Sequence, residues 1–349
     1  MSLPTDAAAR IVAALYQALL EREPDASGLA HRRAALDAGR PVGEVIAAIR
    51  ASEECARREA GRARASLVAE RIAAEAARRF AQRPMTIVDV GAQELAGEAH
   101  AYSALPRYGI GCRVIGFEPL VERLREREES DAEGNLTLLP YFIGDGGSHT
   151  FHVNNDDATS SLLPLNPAVT GELDQLDHLR TLRRETVATR TLDEALDGEP
   201  RIDFLKLDIQ GFELPALRNA TAVLARTNVI HCEVAFTQIY AGQALFSDVE
   251  AFLREQGFVF VDFATQCRYA YRDDAGVGTR DRLGWADAVF FRDAGRLSDP
   301  DDLLSQAVIA AGVYGKASLA AHLAALHDRV SDRHIDLPAS SADRSAPGG

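Results

Sequence analysis

Thr86-Ile87-Val88-Asp89-Val90-Gly91-Ala92 is an apolar run that breaks at glycine, and about two dozen residues on, Arg113-Val114-Ile115-Gly116-Phe117-Glu118-Pro119 closes a second run on a carboxylate. Both read as short buried strands. In a β-α-β unit the glycine lets backbone approach a ligand at the first strand's tip, and an acid ending the next strand can hold two ribose hydroxyls. The pair marks a nucleoside site, with Asp89, Gly91 and Glu118 as candidate contacts.

The loop between them, Gly91-Ala-Gln-Glu-Leu-Ala-Gly97, lacks the G-x-G-x-x-G spacing that brings helix amides onto a pyrophosphate. A ligand without phosphate does not need that spacing. Asp89, just before the glycine, would repel a pyrophosphate and suit an ammonium or sulfonium. The loop therefore favours S-adenosylmethionine over NAD; its rival reading is an ordinary strand-to-helix turn that needs a small residue.

The 349 residues are 46% hydrophobic and 26% charged, the composition of a soluble globular protein of roughly two domains. A formal net charge of -14 argues against a general nucleic-acid binder, which needs clustered cations. The eight arginines against three glutamates between Arg57 and Arg83 read as the solvated face of a helix. Cys55, Cys112, Cys232 and Cys267 are too widely spread for a C-x-x-C motif and fit reduced thiols. The amino terminus lacks a signal-peptide pattern, and no run approaches the roughly 18 apolar residues of a membrane span. A cytoplasmic protein is expected.

Residues 7 to about 52 carry helical spacing: Ile11, Leu15 and Leu19 on a first helix ended by Pro24, Leu29 and Leu36 on a second, and Val45, Ile46 and Ile49 on a third. The core of this small all-α domain (1–56), Arg22-Glu-Pro24-Asp25-Ala-Ser-Gly28-Leu29, resembles a family of short helical domains of unknown function related to phycobilisome linker repeats. That resemblance implies docking to a protein partner, self-association or assembly. Residues 57–83 continue as a connecting helix, with a cap at Ser52 and a stop at Pro84.

From residue 84 short apolar strands alternate with helical stretches, the signature of a mainly parallel sheet covered on both faces. The predicted strands are 87–91, 114–117, 136–143, 186–190, 204–208 and 229–234, closed by an antiparallel pair, 258–263 and 288–292, around a long loop 264–285. About seven form one sheet in a domain spanning 84–293. A helical extension (294–335) carries a helix over 303–330, and the tail 336–349 lacks the composition for a core.

Val88-Asp-Val-Gly-Ala92, Gly116-Phe-Glu-Pro119, Ile143-Gly-Asp145, Thr159-Ser-Ser-Leu-Leu-Pro164, Arg190-Thr-Leu-Asp193, Ile202-Asp-Phe-Leu-Lys-Leu-Asp-Ile-Gln-Gly-Phe-Glu213 and Ala286-Asp-Ala-Val-Phe-Phe-Arg292 occur in the order seen in FkbM-type S-adenosylmethionine-dependent methyltransferases, which this chain resembles over roughly 84–293. The resemblance implies an α/β, Rossmann-like class I methyltransferase fold and oxygen as the methyl acceptor. One departure stands out. The family reads D-V-G-A-N-x-G, whereas Gln93 and Leu95 replace the asparagine and second glycine, with Gly97 two residues late. Either Gly97 does the same job in a longer loop, or donor binding is weakened.

Methyl transfer is an in-line displacement, so the chain's main tasks are alignment and exclusion of water, with a base for a hydroxyl acceptor. Candidates belong at the carboxyl ends of the central strands. Alternation puts Lys206 and Asp208 on one face, and His231 and Glu233 on one face of the next strand. Asp208 and Glu233 are the favoured catalytic residues. Lys206 either pairs with an acid to satisfy the fold or serves base chemistry tuned by burial. His231 reads as a hydrogen-bonded core histidine or as a group orienting Glu233. Asp208, Glu213 and Glu233 offer oxygens to Mg²⁺, but without histidine or asparagine support no metal is assigned. His149 and His152 face opposite ways in an extended segment and are not a ligand pair. Asp145 accepts from the adenine amino group or forms a turn. Residues 154–161 and the surroundings of Arg268, Tyr269 and Trp285 are candidate acceptor contacts.

The expected protein is an S-adenosylmethionine-dependent O-methyltransferase for a sugar, glycan or small polar metabolite. Its donor site is Asp89, Gly91, Gly97, Glu118 and Asp145, and its catalytic group is Asp208, Glu233 and Lys206. The alternatives are a non-catalytic assembly protein with a degenerate methyltransferase fold and a nucleotide-dependent oxidoreductase.

Overall fold

The computed structural model describes residues 5–92, 100–130, 134–273 and 275–338. They form two compact units, residues 5–68 with 337–338, and Ala69–Asp336. In the first, helices Thr5–Leu20, Ala26–Asp37 and Val42–Arg50 enclose Val12, Tyr16, Leu20, Leu36, Val45 and Ile49. The Arg-Glu-Pro-Asp-x-x-Gly stretch is its joint. Arg22 grips Glu54 through bonds of 2.6 and 2.7 Å, and Asp25 caps the second helix by accepting Gly28 N–H at 2.8 Å. A Cβ on Gly28 would meet Tyr16 Oη at 2.5 Å, so a larger residue there would have to displace the Tyr16 side chain. The helix Glu53–Phe80 opens with Ser52 Oγ accepting Cys55 N–H.

Among its described residues the second unit has ten strands: β1 Met85–Val90, β2 Cys112–Phe117, β3 Leu136–Leu139, β4 Phe142–Ile143, β5 Ser148–Asn154, β6 Thr181–Arg190, β7 Ile202–Leu207, β8 Thr227–Ala235, β9 Phe258–Tyr269 and β10 Arg282–Arg292. Seven form one sheet in the order β3-β2-β1-β7-β8-β10-β9, with β10 alone running against the other six. The expected α/β, Rossmann-like architecture with an antiparallel closing hairpin is what forms. The chain winds outward from β1 to β3 and then returns to start the other half at β7. The β1/β7 boundary is thus the switch point where open α/β sheets bind ligands.

Three expectations are corrected. The run 136–143 is two strands in two sheets, because Pro140 has no N–H to continue a ladder. Residues 186–190 are the end of β6, which joins β4 and β5 in a separate three-stranded sheet. Most of β6 is exposed, and Thr-Leu-Arg-Arg-Glu-Thr is too polar for a sheet covered on both faces. The loop expected over 264–285 is shorter: β9 runs on to Tyr269, which still pairs with Arg282 of β10, and three register shifts twist this edge hairpin so that polar side chains reach solvent.

The helix predicted over 303–330 is interrupted. It forms as Pro300–Val308, a π-helical turn Ile309–Val313 and Ala317–Val330, with Gly315 at φ +63 between the last two. Asp299 caps the first by accepting Asp301 N–H at 2.8 Å.

Candidate active site

Alternation along β1, β7 and β8 sorts two kinds of residue. Val88, Val90, Leu205, Leu207, Ile230 and Cys232 bury one face in the main core. The other face carries a polar row in register: Asp89 opposite Lys206, and Lys206 opposite His231. One pleat further out, Glu233 lies opposite Asp287 of β10. A cavity of about 720 Å³ opens over this row and the strand tips. Gly91, Phe117, Glu118, Tyr141 and Ile143 line one end, and Asp208, Glu233, Tyr269, Trp285, Asp287 and Tyr314 the other.

Glu118, 4% exposed, ends β2 at the cavity wall. Its Oε1 accepts Leu120 N–H at 2.8 Å, and burial raises its carboxyl above the usual range. Asp89 lies behind the cavity, fully buried and absent from the lining. Its Oδ2 accepts Tyr102 O–H at 2.8 Å and faces His100 Nδ1 at 3.4 Å, and its Oδ1 is 3.5 Å from Lys206 Nζ. Burial would raise this carboxyl, but Lys206 foremost, then His100 and Tyr102, hold it at about 2. Asp145 is also off the lining: Oδ1 accepts Gly147 N–H at 2.9 Å and meets His149 Nε2 at 2.7 Å, the geometry of a turn. Gly97 lies outside the described residues.

Burial by itself would lower the Lys206 ammonium, yet Asp89, then Asp208 and Asp287, more than offset it and keep it above the usual lysine range. It is a fixed cation, which does not suit base chemistry. Asp208 and Glu233 are joined by Gln210, whose Nε2 donates to Asp208 Oδ1 at 2.9 Å and to Glu233 Oε2 at 3.2 Å. To reach both, Gln210 takes φ 55, a left-handed conformation rare outside glycine. Tyr240 O–H donates to its Oε1 at 3.1 Å. Carboxylate oxygens of Asp208, Glu213 and Glu233 lie within 4.8 Å of one another, too close for all three to ionise freely. Burial, then the charges of Asp208 and Glu213, push Glu233 well above the ordinary carboxyl range.

Glu213 closes the turn after β7, its Oε1 accepting Ile209 N–H at 2.9 Å and Gly211 N–H at 3.1 Å. Burial outweighs these donors and lifts its carboxyl to about 7. The folded unit therefore holds this proton more tightly than the unfolded chain. The stability it contributes is complete below the ordinary glutamate value of 4.5 and is lost as pH rises through about 7. Thermal unfolding should shift downward across that window, and Glu213→Gln should flatten the slope. An unchanged slope in the variant would refute the assignment.

The acceptor-side end also holds residues with weaker sequence signals. His231 Nδ1 meets Tyr314 Oη at 2.9 Å, and its Nε2 lies 3.6 Å from Asp287 Oδ1. Asp287 was visible as an acid in an apolar strand, two positions from Trp285. Tyr314 had no local signal, because the interruption of the C-terminal helix is what delivers it. Of the anticipated acceptor contacts, residues 157–161, Tyr269 and Trp285 line the cavity and Arg268 does not.

The sequence of this stretch matches one family model, the methyltransferase FkbM domain, over residues 89–260. These residues are an FkbM methyltransferase domain. The match includes Asp89, Glu118, Lys206, Asp208 and Glu233, whereas Asp287 and Tyr314 lie beyond it. Residues 6–58 match a domain of unknown function, DUF4214. No curated protein matches the chain in sequence. Solved structures similar to the chain include an S-adenosylmethionine-dependent methyltransferase from Anabaena variabilis (10% identity, 61% of this chain and 81% of that one, TM-score 0.30). They also include the 23S rRNA methyltransferase ErmE (11%, 73% and 80%, 0.28) and the 1,6-didemethyltoxoflavin-N1-methyltransferase of Burkholderia thailandensis (15%, 72% and 90%, 0.28). At scores this low these likenesses carry no argument about the FkbM domain's acceptor. Among the described residues no helix is long and apolar enough to cross a membrane.

Proposed function

We propose that the FkbM domain transfers a methyl group from S-adenosylmethionine to a hydroxyl of a sugar, glycan or small polar metabolite. The observation that carries this reading is one cavity with a ribose-type acid, Glu118, at one end and the Asp208–Glu233 pair, two and three strands away, at the other. The residues fit a nucleoside donor. Phe117, Tyr141 and Ile143 give an apolar wall beside Glu118, and the strand turns away at Gly91. Bound there, S-adenosylmethionine supplies an electrophilic methyl group.

The remaining work falls to the chain. Glu118 holds ribose hydroxyls, and Gly91 shapes the approach. Asp89 acts from behind, fixing Lys206, His100 and Tyr102. Asp208 and Glu233, bridged by Gln210, hold the acceptor hydroxyl, and a carboxylate oxygen of the pair takes the proton released on methylation. Trp285 and Tyr269 wall the acceptor end from water. For the helical unit at the amino terminus, docking or assembly is the role we adopt.

Calorimetric titration tests the reading. S-adenosylhomocysteine should bind the wild-type protein, and Glu118→Ala should weaken it about tenfold or more. Absence of binding to folded wild type would sink the donor assignment. Methylation of nitrogen acceptors alone, in a screen that includes sugars, would sink the hydroxyl acceptor.

A further inference from the structure

Lys206 is a cation held in place by three oxygens, none nearer than 3.4 Å. Its Nζ sits 3.4 Å from Gly91 O, 3.5 Å from Asp89 Oδ1 and 3.5 Å from Asp208 Oδ2, all at the outer limit of a hydrogen bond. Its side chain is 15% exposed and lines the cavity. An ammonium has three N–H donors that turn freely about Cε–Nζ, so one can swing to an incoming anion while the others stay with the buried acids.

Its place in the sheet specifies which anion. The order β2-β1-β7 sets Lys206 two strands from Glu118, roughly 10 Å at ordinary strand spacing, and Nζ reaches the level of the strand tips at Gly91. If the ribose lies at Glu118, the amino-acid end of the same ligand runs toward β7. That end carries a carboxylate, and the wall there presents the buried Lys206 ammonium.

We infer that Lys206 is a donor-binding residue whose ammonium takes the α-carboxylate of the methionine portion of S-adenosylmethionine. The inference rests on the donor reading above and assigns Lys206 to anchoring the donor, with no part in accepting the acceptor's proton.

Decarboxylated S-adenosylmethionine is the discriminating probe, since it keeps the adenosine, sulfonium and ammonium and lacks only the carboxylate. By calorimetry, wild type should bind S-adenosylmethionine roughly ten- to hundred-fold more tightly than the decarboxylated compound, and Lys206→Met should bring that ratio close to one. The double variant Asp89→Asn/Lys206→Met, which removes a buried acid with the buried cation, should show the same collapsed ratio and guards against misfolding of the single variant. Equal wild-type affinity for both compounds overturns the inference alone. So does a Lys206→Met protein that weakens both equally, because a merely structural lysine would act that way. If wild type binds neither, the donor reading falls and the inference with it.

Discussion

Arg201→Met is expected to lower the unfolding free energy of the sheet-bearing unit by about 3–5 kcal/mol, the cost of leaving buried charge without its partner. Arg201 is 8% exposed at the start of β7 and reaches three aspartates: Asp203 Oδ1 at 2.7 Å, Asp302 Oδ1 at 3.2 Å and Asp301 Oδ2 at 3.8 Å. Asp203 is the most dependent. It is 2% exposed, its Oδ2 accepts Thr86 N–H at 2.9 Å, and burial already raises its carboxyl despite the guanidinium. Asp301 is better insured, because Arg79 and Arg83 also hold it. Arg79→Met should therefore cost much less than Arg201→Met, and Arg113→Met, which breaks a surface pair with Glu199, no more than about 1 kcal/mol. Urea unfolding of the three variants checks the ranking. The double variant Arg201→Met/Asp203→Leu should recover part of the loss, since it removes the orphaned acid as well. A loss under about 1 kcal/mol for Arg201→Met would show that water or a protonated Asp203 replaces the guanidinium.

That network ties β7 and Thr86 to the helix Pro300–Val308, and nothing near Arg201 in sequence announces it. What was legible was local. β1, β2, β7 and β8 are short, mainly apolar runs buried on both faces, the pattern of central parallel strands. Glu118 and Glu233 were legible because an acid closing such a run must sit at the strand tip. Asp89 was legible as unusual but its role was not. A carboxylate inside an apolar strand needs partners, and the sequence could not say that Tyr102, His100 and Lys206 supply them and turn it from the cavity. β6 misled for the opposite reason: its β-branched residues signal a strand, and only pairing decides which sheet receives it. Gln210 was hidden by conformation, since a left-handed glutamine before Gly211 cannot be foreseen from glutamine's preferences.

The meeting of Gly91 with Asp208 joins the tips of β1 and β7, and Gly91→Ala is the second large effect expected. Gly91 has φ +79, and a Cβ there would lie 1.9 Å from the carbonyl oxygen of Asp208. That oxygen belongs to backbone held in place: Asp208 N–H donates to Val90 O at 3.1 Å, while Gly91 N–H donates to Phe117 O at 3.2 Å. Neither neighbour can rotate away, so β1 and β7 must part at their tips. The left-handed conformation costs an L-residue about 1–2 kcal/mol, and overpacking adds about 1–3 kcal/mol. A destabilisation of about 2–5 kcal/mol is expected, with S-adenosylhomocysteine affinity lost by more than the tenfold set for Glu118→Ala. Gly116→Ala is the control from the same sheet. Its Cβ would meet Leu138 Cδ2 at 2.5 Å, the far end of a flexible side chain that can turn aside. The milder variant should keep most of its donor affinity. If Gly91→Ala binds S-adenosylhomocysteine like wild type, the tip of β1 is not where the donor lies, and the donor would have to be placed elsewhere along the cavity.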